Sequence, residues 1–200
     1  MAPVSIDPDS EVGADLPDLR PLVRLCTHRW SVPALGDLYR LRGAKFVTLT
    51  NRLGVSRESL SRTLDDLQAL DLVMRNPGYG HPMRPEYLLT PDGESVAPAA
   101  LATVEAIPVA CQGACRRKWA LGVLAALSSG LERFRDIAAA LEGVTPRALT
   151  MTLEELEGAA IVHRRMTTGR RPRPVYEPSA TGRVVGDRAI DLATALSFDA

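Results

Sequence analysis

The sequence predicts a mainly α chain with small β-hairpins, an α+β protein, in which one structural unit is made twice. Three observations carry this. Residues 143–176 read GVTPRALTMTLEELEGAAIVHRRMTTGRRPRPVY and residues 54–87 read GVSRESLSRTLDDLQALDLVMRNPGYGHPMRPEY, so one plan recurs at an offset of 89 residues. In each copy leucines recur at helical spacing behind a hydroxyl residue able to cap a helix. These are Leu60, Leu64, Leu67 and Leu70 after Ser56, and Leu149, Leu153 and Leu156 after Thr145. Each row then gives way to a short apolar stretch, a loop bearing Pro and Gly, and a second short stretch, the pattern of a β-hairpin.

Taken in order, residues 1–18 hold Asp7, Asp9, Glu11, Asp15 and Asp18 without a basic residue, and Pro3, Pro8 and Pro17 interrupt them. They are expected to form a disordered acidic arm. The first unit covers 19–107. Leu22, Leu25, Cys26 and Trp30 fall on one apolar stripe and predict a helix reaching Trp30. Ser31 and Pro33 mark a restart, since Pro is tolerated in a first turn, and Leu35, Leu38 and Leu41 continue to Gly43. A third helix is expected over Phe46–Leu53, ended by Gly54, and a fourth behind Ser56. Strands are expected at 72–75 and 85–90, with Asn76, Pro77, Gly78, Gly80 and Pro82 turning the chain between them. Thr90 then opens a helix to about Ile107.

The second unit, 108–200, repeats this order. Cys115, Trp119, Phe134, Ile161, Tyr176 and Gly182 match Cys26, Trp30, Phe46, Leu72, Tyr87 and Gly93, and a helix over 184–196 closes the chain. Hardly any linker separates the units. They are expected to pack in a fixed orientation through the helices that end one and begin the other.

Composition bounds the function. At 46% hydrophobic and 4% aromatic the chain can build cores, mainly from Leu, Ala and Val. No apolar run exceeds about nine residues, short of the roughly 20 that a spanning helix needs. The N-terminus lacks the basic and apolar regions of a secretory signal, and three cysteines make no disulfide framework. A cytoplasmic chain is expected, away from membranes. Its net charge of zero hides a segregation, because residues 163–173 carry five arginines and no acid. Local field decides binding more than the total does. A helix and a basic hairpin side by side, made twice, is most simply a tandem nucleic-acid reader.

At this point the residues resemble a known family, the HxlR-type winged helix-turn-helix regulators of bacteria. The resemblance rests on a basic residue before tryptophan (Arg29-Trp30, Lys118-Trp119), Arg133-Phe134, and Gly-Val-Ser or Gly-Val-Thr before the leucine rows. It continues with an arginine-bearing hairpin containing Pro, and Tyr-x-Leu-Thr-x-x-Gly over residues 87–93. It covers nearly all of residues 19–197, twice. It implies two tandem winged helix-turn-helix domains packed as a pseudo-twofold dimer, in a sequence-specific regulator of transcription that binds double-stranded DNA. Members usually carry one unit and dimerise, so this chain resembles a dimer fused head to tail. Several members sense oxidants through an N-terminal thiol well ahead of the tryptophan. Here Cys26 and Cys115 stand four residues before it on the apolar stripe, so that role does not carry over.

A recognition helix reads base edges with its N-terminal side chains and offers its first amides to phosphate. The first unit supplies Arg52, Ser56, Arg57, Ser59, Ser61 and Arg62. The second supplies Thr145, Arg147, Ala148 and Thr150, and its helix turns acidic at Glu154, Glu155 and Glu157. Its wing is the stronger signal, with Arg164, Arg165, Arg170, Arg171 and Arg173 around a tip at Thr168 and Gly169, stiffened by Pro172 and Pro174. Arginine suits phosphate and narrow minor grooves. The first wing has only Arg75, His81 and Arg84, with Glu86 opposing. The first unit is therefore expected to read sequence and the second to grip backbone.

Competing readings are weaker. Cys111 and Cys115 share a helix face, but i, i+4 thiols are too far apart for an easy disulfide, and His28, His81 and His163 are scattered. Neither a metal nor another cofactor is expected, and Trp30 and Trp119 are expected as core anchors. No phosphate loop, dinucleotide fingerprint or hydrolase motif is present, so an enzyme is not expected. The alternatives are a tandem winged-helix protein-interaction module, like the kleisin-binding subunits of bacterial condensin, and a ligand- or thiol-responsive sensor on the same scaffold. Chains could also pair as a homodimer with four readers.

Overall fold

The computed structural model describes residues 16–77, 86–168 and 171–197. Most of the acidic arm, together with Gly78, Gly80, His81, Pro82, Arg84, Gly169 and Arg170, lies outside the described residues. The first unit runs α1 (Arg20–Leu25), α2 (Ser31–Leu41), α3 (Phe46–Leu53), α4 (Arg57–Ala69), β1 (Val73–Arg75), β2 (Tyr87–Leu89) and α5 (Pro91–Ala106). The second runs through a 3-10 turn (Val109–Cys111), then α6 (Gln112–Cys115), α7 (Ala120–Ser128), α8 (Phe134–Ala140), α9 (Pro146–Gly158), β3 (Val162–Met166), β4 (Pro174–Pro178) and α10 (Ala180–Leu196). The starts of α7, α9 and α10 each lie 89 residues after those of α2, α4 and α5. The fold is α+β, with two antiparallel two-stranded sheets.

The first helix is shorter than its apolar stripe predicts. α1 closes at Cys26, and Trp30 instead precedes α2 as its N-cap residue. Its counterpart in the second unit splits into the 3-10 turn and α6, where Pro108 and Gly113 stand in place of Leu19 and Arg24.

Local chemistry explains the helix-turn-helix elements. Gly54 (φ 61°) and Gly143 (φ 81°) take left-handed conformations that a side chain would strain, and so end the preceding segment sharply. Ser56 Oγ then accepts from the Ser59 amide at 3.2 Å, and Thr145 Oγ1 from the Ala148 amide at 3.2 Å, capping α4 and α9. Leu60, Leu64 and Leu67, like Leu149, Leu153 and Leu156, are buried as their spacing predicts.

Each hairpin follows its helix directly. β1 and β2 pair with Val73 opposite Leu89 and Arg75 opposite Tyr87. β3 and β4 pair with Val162 opposite Pro178 and Arg164 opposite Tyr176. A third segment adds to both sheets, through a bridge between Ala44 and Tyr87 and through the Tyr176 amide donating to Glu132 O at 2.9 Å.

The last helix of each unit then returns to the start of its own hairpin. Thr90 and Ser179 cap α5 and α10 by accepting from Gly93 N (3.0 Å) and Gly182 N (3.1 Å). A Cβ on Gly93 would stand 1.9 Å from Leu72 O, and one on Gly182 would stand 2.2 Å from Ile161 O. The glycine of the Thr-x-x-Gly motif is therefore set by close approach, not by backbone torsion.

The two units share one apolar core. α5 packs on α2 and α10, α10 packs on α7, and α1 lies against α7 and α10. Thr103 Oγ1 on α5 reaches Arg188 O on α10 at 3.1 Å. Every residue of α7 from Ala120 to Leu127 is buried, whereas α2 exposes Arg40. Only Ile107 and Pro108 separate α5 from the next helical turn. Among the described residues no single helix is long and apolar enough to cross a membrane.

Cys26 and Cys115 occupy equivalent buried sites, and burial pushes both thiols up to about 12. Cys111 is half-buried, with its Sγ 3.7 Å from Ala159 O.

Two measurements check this account. Gly93→Ala or Gly182→Ala should cost roughly 1–3 kcal/mol or more, because backbone must move to admit a methyl group. A urea midpoint unchanged from the parent would refute the close approach. Under native conditions at pH 8, iodoacetamide should label Cys111 well before Cys26 and Cys115, which should react only on unfolding; equal rates at all three thiols would contradict their burial.

Candidate nucleic-acid interface

The exposed side chains of α4 and α9 differ although their scaffolds match. Arg57, Glu58, Ser61, Arg62 and Asp65 face solvent on α4, while Arg147, Thr150, Met151 and Glu154 do so on α9. Ser59 is half-buried, its amide committed to Ser56 and its carbonyl to Thr63 Oγ1 at 2.8 Å. Arg57 lies over the Phe46 ring, 5.5 Å from its centre, tying the starts of α4 and α3 together. Arg62 pairs with Glu58 one turn back. Arg147 has no ion pair among the described residues.

Arg52 is on α3 and does not stand free ahead of α4. Its guanidinium straddles Asp37 of α2 at 3.1 and 2.9 Å, and those hydrogen bonds raise its pKa further. Arg75 in the first wing pairs with Glu86 at 2.8 Å. The same carboxylate accepts from the Phe46 amide at 3.3 Å and so caps α3. Of these candidates, Arg52 and Arg75 are engaged with acids distant in sequence, and Arg62 with an acid on its own helix. The Arg62–Glu58 pair is exposed on both sides and cheap to break, so phosphate can compete for Arg62.

The second wing is less uniformly basic than its sequence. Neighbouring strand residues point to opposite faces. Arg164, across from Tyr176, and Arg165, across from Val175, therefore do not share one. Arg165 Nε donates to Glu177 Oε1 at 3.1 Å, which holds the Glu177 carboxyl below its usual range. This acid lies just beyond the stretch that reads as acid-free. Arg164, Arg171 and Arg173 are exposed and unpaired among the described residues. The base of the loop is pinned where the Thr167 amide donates to Arg173 O at 2.9 Å and the Arg173 amide donates to Thr167 Oγ1 at 3.0 Å.

Sequence reasoning missed two groups beside these. Met151, 47% exposed, stands where α4 has Arg62, and the 89-residue offset alone identifies it. Arg133 and Lys45 are exposed at the N-caps of α8 and α3, next to the third segment of each wing. Trp30 and Trp119 are half-buried rather than enclosed. The Arg116 guanidinium lies 4.5 Å from the Trp30 ring centre and Lys118 Nζ 5.0 Å from that of Trp119. Among the described residues no group of three or more His, Cys, Asp or Glu could hold a metal ion.

Comparison with known proteins agrees with this arrangement. The HxlR-like helix-turn-helix family matches residues 25–107 and again residues 115–194. Neither the curated proteins nor the solved structures compared with the chain gave a match. Domains of this family are DNA-binding regulators of transcription, not enzymes, and often form dimers. With two matches spanning most of its length, the chain belongs to the HxlR-like helix-turn-helix family as a tandem duplication.

Proposed function

We propose that the chain is a sequence-specific regulator whose two units form a pseudo-twofold pair on double-stranded DNA. α4 and α9 enter major grooves of two half-sites, and the wings lie on backbone or minor groove. The observation that carries this reading is the pair of capped helices with exposed, unlike N-terminal side chains. The contact of α5 with α10, equivalent helices of the two units, supports a twofold relation.

Because the scaffolds match and the side chains do not, the half-sites differ. Arg57 and Arg62 suit guanine, whereas Met151 offers an apolar contact to a thymine methyl group. Ser56 and Thr145 are committed as caps to the Ser59 and Ala148 amides, which leaves the Arg57 and Glu58 amides of α4 and the Arg147 amide of α9, where Pro146 has none, for phosphate. Arg164, Arg171, Arg173 and Arg133 take phosphate in the second unit. Arg165 joins them only by leaving Glu177. A thiol switch at Cys26 or Cys115 is disfavoured by their burial. A protein-interaction module would leave the unpaired wing arginines without a role.

Arg171→Ala combined with Arg173→Ala should weaken binding to every duplex alike and flatten the slope of log K against log salt by about 1–2. A loss confined to one base pair would instead assign these arginines to sequence readout. Arg62→Met, which copies the second unit into the first, should change preference at one position of one half-site by about 1–3 kcal/mol. Selection from randomised duplexes reads this directly, and a uniform loss across sequences would remove α4 from the major groove.

A further inference from the structure

A recess opens where the two units meet, on the side of α6. Its empty space, open mouth included, is about 400 Å³, around a narrow cavity of about 20 Å³. The first unit contributes Pro33, Val104 and Ile107 to its walls, and the second contributes Leu121. Arg29 and Arg116 stand at the rim and also line the larger polar groove beside it. Arg117 lines both as well, so the recess joins apolar walls to three arginines.

Arg117 is paired with Glu155, whereas Arg29 and Arg116 are poorly compensated. Arg116 is half-buried, and its nearest polar partner is the neutral Gln112 Oε1 at 2.6 Å. Its guanidinium carbon lies over the Trp30 ring, 4.5 Å from the centre, with that of Arg29 at 5.4 Å from the same centre. Loss of solvent, with the Arg29 charge in addition, lowers the Arg116 pKa. No acid lines the recess, and Glu155, the acid of the adjoining groove, is held by Arg117 at 2.5 Å. Two like charges drawn together at the edge of an apolar hollow favour an anion that arrives with its own apolar body.

We propose that this recess binds a small apolar monocarboxylate, its body against Pro33, Val104, Ile107 and Leu121 and its carboxylate on Arg116 and Arg29. A planar guanidinium takes a carboxylate through two parallel hydrogen bonds, and the apolar walls, which a free inorganic anion cannot use, favour a carboxylate that carries an apolar body. The enclosed part of the cavity, about 20 Å³, has room for about one water, so a small body enters only as the long side chains of Gln112 and Arg116 turn aside to admit it. Because the walls come from both units, occupancy sets the angle between them.

The test titrates the full chain with benzoate, benzamide and inorganic phosphate while following tryptophan emission, since Arg116 would leave the Trp30 face. DNA is absent, so the result stands apart from the regulatory reading. Benzoate should give a saturable change and raise the thermal midpoint. Benzamide and phosphate should bind at least about tenfold more weakly, the difference a lost charge contact or a lost apolar contact makes. Arg116→Gln should weaken benzoate by a similar factor while its own midpoint without ligand stays at or above the parent's. If that variant fails to fold, Arg29→Gln carries the comparison. No saturable change with benzoate, equal binding of benzamide, or equal binding of phosphate would each overturn the proposal.

Discussion

The structure depends on two places where a helix meets a backbone carbonyl with nothing between. Gly93 presses on Leu72 O and Gly182 on Ile161 O, at the point where α4 and α9 have just ended and each hairpin begins. The amide of the capping residue seals the contact, Thr90 N donating to Leu72 O at 3.2 Å and Ser179 N to Ile161 O at 2.8 Å. A single residue thus follows α4 or α9, starts the hairpin and docks the closing helix. Those closing helices, α5 and α10, are also the ones that meet across the junction. Reading surface and junction are rigidly linked because they share this one joint.

On that common frame the two halves have diverged in opposite ways inside and out. α7 is buried on every side because α8, α9, α10 and α1 surround it, so its sequence is apolar throughout. α2 is covered on fewer sides and keeps Asp37 and Arg40, each of which holds a partner on another helix: Arg52 of α3 and Glu105 of α5. Outside, the order reverses. The first unit's described arginines are mostly tied to carboxylates, and the second unit's Arg147, Arg164, Arg171 and Arg173 are not. A duplicated unit has kept its packing rules while its surfaces were free to change.

Much of this was legible in the sequence because helices and hairpins are specified locally. Leu60, Leu64 and Leu67 set a buried face by spacing alone, and Ser56 and Thr145 marked helix starts that the caps bear out. Where spacing misled, at Trp30, the stripe crossed a break whose cause is the restart at Ser31. What stayed hidden depends on distance in space rather than in sequence. Asp37 reaching Arg52 and Glu86 reaching both Arg75 and the start of α3 follow only from the folded chain. Arg164 and Arg165 read as one charge cluster until strand pairing turns them to opposite faces. The junction recess had no signature at all, because its walls are drawn from segments that each read as ordinary core.

The connection between the units, Ile107 and Pro108 alone, has a consequence of its own. Two subunits joined by association come apart on dilution, and their readers then bind or leave separately. On the proposed reading the second unit always accompanies the first, held by the shared core as well as by the two connecting residues, so occupancy of one half-site would bring the second unit with it whatever the protein concentration. Nor can a damaged copy poison an intact one by mixed assembly of these two units. Each half is inherited with its own partner, so on the proposed reading the two halves of an operator would be free to drift apart in sequence without having to satisfy the same surface.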